Sequence, residues 1–235
     1  METFDWYYIY SQRYHPFHLY LQDKIPKTMF TPIGIFVDQS VFDEHLYKHE
    51  GEHFFGRITV KVETILRILS EKRRNGDTRP FYFSDCDILI GDLVGELTVY
   101  PGNEKMDLWF QREYKESTTV NPGIMLIRPN EKTEIFWSHV LNDMKTTEKS
   151  MELQSINKVL ETSDILWNLF LTTSVCSSIT KTTKFAGDFG VYHILCACDS
   201  RELDIGNKMF EACNLKQPMD KYVEQTRIEL GRLYF

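Results

Sequence analysis

The sequence predicts one α/β domain with a mainly parallel central sheet flanked by helices. Short apolar runs of strand length alternate with longer segments of helical periodicity. A chain of 235 residues, 42% of them hydrophobic, is long enough to bury one sizeable core. No repeat and no linker rich in Gly, Ser or Pro divides the chain. We therefore treat residues 1–235 as a single domain.

Strands and helices are distinguished by the spacing of apolar residues. Apolar runs of three to five residues that end in polar or turn residues are too short for helices and predict buried strands. Apolar residues spaced by three and four, as in Val62, Ile65 and Leu69, predict a helix packed on one side. The predicted elements are, in order, a strand at 6–10, a helix at 15–24, a strand at 33–37, a helix at 57–72, strands at 81–83, 106–110 and 124–127, helices after Asn130 and at 153–160, a strand at 191–194, and helices at 200–212 and 221–233. We assign no element to residues 163–184.

Composition and sequence patterns argue against a protein that binds nucleic acid, spans a membrane, or depends on disulfides or a zinc site. The net charge is −7, so the chain has no excess of Lys and Arg with which to bind a nucleic acid backbone. No apolar run approaches the roughly 20 residues that span a bilayer, and the first residues do not resemble a signal peptide, so we expect a cytoplasmic protein without a membrane span. Five cysteines without a C-x-x-C pair indicate neither a disulfide framework nor a zinc site.

The segment Asp85-Cys86-Asp87 directly follows the predicted strand at 81–83. Two residues apart in extended backbone, both carboxylates point to one side and can reach a single Mg²⁺ or Mn²⁺ ion. Fifteen Asp in 235 residues give about one Asp-x-Asp by chance, so the pattern alone is weak. Its place beyond a buried strand favours a cation site over the simpler alternative, a solvated acidic loop.

A second enzyme class uses the same pattern. Haloacid-dehalogenase phosphatases begin with an apolar strand followed by Asp-x-Asp, whose first Asp is the nucleophile, which would be Asp85 here. That family prefers Thr or Val after the second Asp, whereas Ile88 follows here. Its later acidic pair is represented only by Gly187-Asp188.

Three segments together resemble GT-A nucleotide-diphospho-sugar transferases similar to glycogenin. Residues 61–88 resemble their helix, turn, strand and metal motif, 120–129 resemble their Asn-Ser-Gly strand, and 153–160 resemble their Asp-Gln helix. The resemblance covers roughly residues 57–195. It implies a nucleotide-binding half up to about residue 90 and an acceptor half at 91–235.

The resemblance implies a metal-dependent glycosyltransferase. Such an enzyme transfers a sugar from a nucleoside-diphosphate sugar, here a UDP-sugar, to a hydroxyl of a glycan, protein or small-molecule acceptor, with retention of configuration. Mn²⁺ or Mg²⁺ would be bound by Asp85 and Asp87, with His193 as the third ligand. A catalytically silent member that binds a nucleotide sugar or acts as a scaffold remains an alternative.

The same resemblance implies further site residues. Gln154 matches the catalytic segment that contacts donor or acceptor. The residues implied in nucleotide or donor binding are Tyr10, Ser11, Lys61, Ser84, Asn121 and Gly123. In these families a phosphate-binding Lys follows the His, and residues 195–199 stand there in this sequence. Lys184 and Arg201 are the two alternative candidates for the phosphate-binding cation.

Three histidines, His45, His49 and His53, are spaced by four, as zinc ligands on a helix can be. Gly51 interrupts the third turn, and no acid forms an H-E-x-x-H arrangement. We therefore interpret them as an exposed helix end rather than a metal site.

Overall fold

A computed structural model describes residues 2–38, 52–113, 118–147, 152–177, 189–194 and 219–230, with only the backbone of 52–58. Several predicted features lie outside the described residues. They are the helix at 200–212, the cations Lys184 and Arg201, the pair Gly187-Asp188, and the side chains of His45, His49 and His53.

The described chain alternates strands and helices as predicted. The strands are β1 (Phe4–Tyr10), β2 (Phe30–Phe36), β3 (Phe81–Ser84), β4 (Ile88–Ile90), β5 (Leu108–Arg112), β6 (Val120–Ile127), β7 (Trp167–Leu169), β8 (Val175–Ser177) and β9 (Val191–His193). The α-helices are α1 (His15–Lys24), α2 (Glu52–Arg74), α3 (Glu131–Thr146), α4 (Glu152–Leu160) and α5 (Asp220–Leu230). Two 3₁₀ segments occupy Gln12–Tyr14 and Asp92–Gly102.

The predicted α/β architecture with a mainly parallel central sheet is confirmed. Six strands form this sheet in the order β2-β1-β3-β6-β5-β7. Strand β1 is parallel to β2 and β3, and β5 is parallel to β7. Only β6 runs in the opposite direction, antiparallel to both of its neighbours. A smaller sheet, ordered β4-β9-β8, begins where β3 ends.

The core forms two layers because the central strands alternate their side chains between the two faces of the sheet. In β3, Tyr82 packs into one cluster with Phe17 of α1, while Phe81 and Phe83 pack into the other with Val62 of α2. The first cluster also takes in the smaller sheet and α5, and the second takes in α3 and α4. Helices therefore cover both faces, as an apolar, two-sided sheet requires.

The structure differs from the predictions mainly in short elements. The predicted strand at 106–110 lies two residues later, as β5. Strands β7 and β8 fall within the stretch to which we assigned no element, because three residues each are too few to show a period. The 3₁₀ segment at Asp92–Gly102 was also not predicted, and it contains Pro101, which cannot donate a helical hydrogen bond. Among the described residues, no helix is both long enough and apolar enough to cross a membrane.

A partly buried ion cluster joins the end of α2 to the start of β1. Lys72 Nζ lies 2.7 Å from Asp5 Oδ2 and 2.9 Å from Asp77 Oδ2, and it also approaches the Phe81 ring. Hydrogen bonds from Arg79, and then from Lys72, hold the pKa of Asp77 well below its usual range. Lys72 therefore places one positive charge between two partly buried carboxylates, whose ionised forms burial would otherwise destabilise.

We expect Lys72→Met to lower the free energy of unfolding by about 2 kcal/mol, because it removes charged hydrogen bonds from two partly buried carboxylates. Urea denaturation measures the loss. Lys145→Met is the matched control, because Lys145 pairs with Glu63 at 2.9 Å on the exposed surface, and we expect it to cost at most about 0.5 kcal/mol. Equal losses in the two variants would show that the partly buried ion cluster adds nothing to stability.

Candidate metal centre

Three potential metal ligands converge where the two sheets meet. Asp85 and Asp87 lie in the segment that joins β3 of the central sheet to β4 of the smaller one. His193 ends β9, directly opposite Ile88 of β4 in the antiparallel register. The backbone N–H of Ile194 donates to the carbonyl of Asp87 at 3.0 Å, which holds the end of β9 beside the acidic segment.

The ligand atoms have the spacing of a cation site. His193 Nε2 lies 3.5 Å from Asp85 Oδ2 and 3.6 Å from Asp87 Oδ1. The ligand atoms of the three residues all lie within 4.8 Å of one another. These separations exceed the N–H···O distance of about 2.9 Å in a hydrogen bond. They suit atoms that share an ion, since ligands about 2.1 Å from a metal lie about 3 Å or more apart.

Burial and ligand chemistry also fit a divalent cation. Asp87 and His193 are 6% and 4% exposed, whereas the Asp85 side chain is 36% exposed. Two carboxylates this close together disfavour each other's ionisation unless positive charge lies between them. Carboxylate oxygens with one imidazole suit Mn²⁺, and carboxylates alone suit Mg²⁺. The exposed side of Asp85 leaves room for oxygens of a ligand.

Gly123 provides the space that His193 occupies. A Cβ atom added at Gly123 would lie 2.1 Å from His193 Nδ1 and 2.2 Å from its Cε1. Real Cβ atoms essentially never approach other atoms so closely, so the ring and a side chain at this position exclude each other. Gly123 also accepts a hydrogen bond from the Asp85 N–H through its carbonyl, at 2.8 Å. Gly123 is therefore part of the candidate metal centre in this structure.

An irregularity in β6 brings Gly123 to this place. The pairing of β5 with β6 shifts register, because Phe110 pairs with Met125 while the next residue, Gln111, pairs with Asn121. Pro122 lies in the extra length and cannot donate to the ladder, which fits a bulge. The Asn121 amide stabilises it: Oδ1 accepts from the Gly123 N–H at 2.7 Å, and Nδ2 donates to Glu113. Asn121, predicted to bind the donor, thus shapes the loop beside His193.

Lys61 holds Asp85 in position. Its ammonium group donates to Asp85 Oδ1 and to the Pro122 carbonyl, both at 2.8 Å, and lies 3.5 Å from Glu152 Oε1. Burial works against the ammonium charge, but Asp85 and then Glu152 raise the pKa of Lys61 above its usual value. Burial raises the pKa of Glu152 to about 7, and Lys61 opposes that rise. Lys61, which was predicted to lie near the donor, therefore pairs with Asp85 of the candidate metal centre.

The other predicted site residues lie at the ends of β3 and β1 and on α4. Ser84 is buried at the end of β3, and its Oγ accepts from the Trp6 indole at 2.9 Å. Tyr10 and Ser11 lie at the end of β1; Tyr10 is half-buried and Ser11 is buried. Gln154 is exposed on α4, two residues after Glu152.

Sequence reasoning missed Gln111. It is fully buried in β5, and its Oε1 lies 3.2 Å from His193 Nδ1. A signal was present, because Gln111 is a polar residue that directly follows the apolar run Leu108-Trp109-Phe110. A buried amide needs a partner, but the sequence does not show that the partner is His193.

Known proteins resemble this chain in fold. No protein-family profile and no curated protein sequence matches the chain. Among solved structures, a glycosyltransferase involved in the glycosylation of the major capsid of PBCV-1 matches 88% of this chain and 100% of its own, with a TM-score of 0.60 and 10% identity.

Two further glycosyltransferases match over most of both chains. The galactosyltransferase LgtC, solved with donor and acceptor sugar analogs, covers 94% of this chain and 99% of its own, with a TM-score of 0.51 and 11% identity. Mouse xyloside xylosyltransferase 1 covers 83% and 98%, with a TM-score of 0.50 and 10% identity. Identities this low show a shared fold rather than a shared substrate. The chain therefore has the GT-A fold of these glycosyltransferases.

Proposed function

We propose that the chain is a glycosyltransferase that moves a sugar from a nucleoside-diphosphate sugar to a hydroxyl acceptor. The convergence of Asp85, Asp87 and His193 at the junction of the two sheets carries this proposal. In open α/β sheets, ligands bind beyond the carboxyl ends of parallel strands, and β1 and β3 end beside this centre. The fold shared with glycosyltransferases supports the same function.

We propose Mn²⁺ or Mg²⁺ as the cofactor and Asp85, Asp87 and His193 as its ligands. Such a cation supplies Lewis-acid stabilisation for a departing diphosphate. Lys61 fixes one oxygen of Asp85, so the other oxygen stays directed towards His193. The pairing of β4 with β9 fixes His193, and the hydrogen bond from the Ile194 N–H to the Asp87 carbonyl fixes Asp87. The proposed site is therefore built on rigid elements.

We propose that the ends of β1 and β2 receive the nucleotide, which we infer to be UDP. Tyr10 stacks on His18 with ring centroids 3.9 Å apart and planes 6° from parallel. Burial lowers the pKa of His18 to about 4, so this ring is neutral at physiological pH. Phe36 of β2 pairs with Tyr10 in register and is 48% exposed. These rings offer a nucleobase a stacking surface, with Ser11 beside it for the ribose.

The remaining roles follow the resemblance to glycogenin-like transferases. We propose that Gln154 contacts the donor sugar or the acceptor from the exposed side of α4, and that transfer retains the anomeric configuration. Asn121 and Ser84 act on the donor indirectly in this proposal, because their side-chain oxygens already accept hydrogen bonds within the fold. The half of the chain up to about residue 90 binds the nucleotide, and the rest receives the acceptor.

The proposal is tested by incubating the purified chain with a panel of UDP-, GDP- and ADP-sugars and measuring release of the nucleoside diphosphate. We expect release from at least one UDP-sugar in Mn²⁺ and none in EDTA. Metal-dependent binding of a nucleotide sugar without release, even with acceptors added, would support the catalytically silent alternative. Release of phosphate from simple phosphomonoesters would instead support the phosphatase alternative.

A further inference from the structure

The side chain of Gln111 contacts the imidazole ring of His193. His193 Nδ1 lies 3.2 Å from Gln111 Oε1. A carbonyl oxygen only accepts hydrogen bonds, so this contact is a hydrogen bond when Nδ1 carries the imidazole proton. The other nitrogen, Nε2, then keeps its lone pair, and this is the nitrogen that faces Asp85 and Asp87 at 3.5 and 3.6 Å.

The opposite arrangement would exclude a cation. If the amide of Gln111 were reversed, its Nε2 group would donate to His193 Nδ1, and the imidazole proton would move to the nitrogen between the two carboxylates. A protonated nitrogen there cannot bind a metal. The direction of one amide group thus separates an imidazole that can bind a cation from one that cannot.

The surroundings of Gln111 indicate that its side chain serves this contact. Gln111 is fully buried, and within the described parts of the chain its Nε2 group has no hydrogen-bond partner. A buried amide with one unpaired end is costly, so packing alone would favour an apolar residue here. The register shift between Phe110 and Gln111 also coincides with the loop that makes room for the His193 ring.

We propose that Gln111 is a positioning residue of the metal centre, whose carbonyl oxygen fixes the His193 tautomer so that Nε2 can bind the divalent cation. The inference rests on the proposed metal site and adds a residue to it. Partners of this kind orient metal-binding imidazoles and increase their basicity. Gln111 has no contact with the donor in this account and acts through His193.

The test measures Mn²⁺ affinity without any donor, by calorimetry or by electron paramagnetic resonance of free Mn²⁺. Gln111→Leu keeps much of the shape but removes the acceptor, and we expect it to weaken Mn²⁺ binding by about 10- to 100-fold. Gln111→Glu keeps an acceptor that cannot donate, so we expect its Mn²⁺ affinity to be no weaker than that of the unaltered chain. Gln22→Leu is the control, because Gln22 donates to Tyr8 and the Pro32 carbonyl, away from the ligands.

The outcomes separate this inference from the proposed function. Binding of Mn²⁺ by Gln111→Leu as tight as by Gln22→Leu would overturn the role of Gln111 while leaving the metal site intact. Equal weakening in Gln111→Leu and Gln111→Glu would also overturn it, because the effect would then come from packing. If the glutamate variant fails to fold, comparing the Mn²⁺ affinity of Gln111→Leu with that of Gln22→Leu still tests the role of Gln111. Absence of Mn²⁺ binding by the unaltered chain would overturn the metal site itself.

Discussion

Replacing Asp87 with asparagine is expected to reduce metal-dependent release of UDP from a UDP-sugar by at least about a thousandfold. The amide keeps the shape of the side chain but removes a negative charge from the cation site, and stabilisation by a bound cation is worth several kcal/mol in the transition state. The backbone carbonyl of Asp87, which accepts from the Ile194 N–H at 3.0 Å, is unchanged. The measurement is the rate of UDP release in Mn²⁺.

Two measurements distinguish loss of the cation site from loss of the fold. Asp87→Asn removes one of two neighbouring carboxylates, so the metal-free variant should melt at or above the temperature of the unaltered chain. Asp92→Asn is the matched control, because Asp92 is an exposed acid a few residues along the chain, and we expect it to keep full activity. Activity of Asp87→Asn at the level of Asp92→Asn would contradict a role for Asp87 in binding the cation.

Gly123→Ala is expected to weaken Mn²⁺ binding by at least about a hundredfold, the upper end of the effects found for residues that orient a metal ligand. The added methyl group would lie 2.1 Å from His193 Nδ1, so the ring must leave its place between Gln111 and the two carboxylates. Nothing chemical is removed from the site by this substitution. Its effect on metal affinity therefore reports the position of His193.

Gly102→Ala is the control for this experiment, because a Cβ atom at Gly102 meets nothing within 4 Å. Mn²⁺ affinity is measured by calorimetry on both variants, and circular dichroism checks that both are folded. A folded Gly123→Ala variant that binds Mn²⁺ like Gly102→Ala would mean that His193 is not a ligand. The two glycines thus separate steric exclusion of the ring from the general effect of adding a methyl group.

The architecture was predictable because it depends on local patterns. The helix α1 was predicted with the observed bounds from its place between two strands and from Pro26 after it. The apolar run of β3 and the acidic segment after it were predicted because period and chain length distinguish a strand from a helix. Strands β7 and β8 contain three residues each and pair with strands distant in sequence, so no local pattern marks them. The single antiparallel strand β6 was likewise not predictable from a run of apolar residues.

The candidate site was predictable only in part. Asp85 and Asp87 were indicated by their place after a buried strand, whereas His193 came from resemblance to a family rather than from spacing. The contacts of Gln111 and Lys61 depend on a register shift in β6 and on the way α2 packs against it. Such contacts join parts of the chain that are distant in sequence, and no periodic pattern of residues indicates them.

The roles of Gly123 and Asn121 illustrate the same limit. The sequence indicated a Gly that lets a ligand approach the backbone, and the structure shows that the group which approaches is the His193 ring. Asn121 was expected to bind sugar hydroxyls, and in the structure its amide joins Gly123 to Glu113. The contacts that each of these residues makes within the protein became clear only from the fold.

Calorimetric titration of UDP into the chain, once in Mn²⁺ and once in EDTA, tests the central claim most directly. If Asp85, Asp87 and His193 hold the cation that receives the diphosphate, UDP should bind in Mn²⁺, and its binding should be lost in EDTA and in Asp87→Asn. Equal binding of UDP in EDTA, or no binding in Mn²⁺, would contradict the claim.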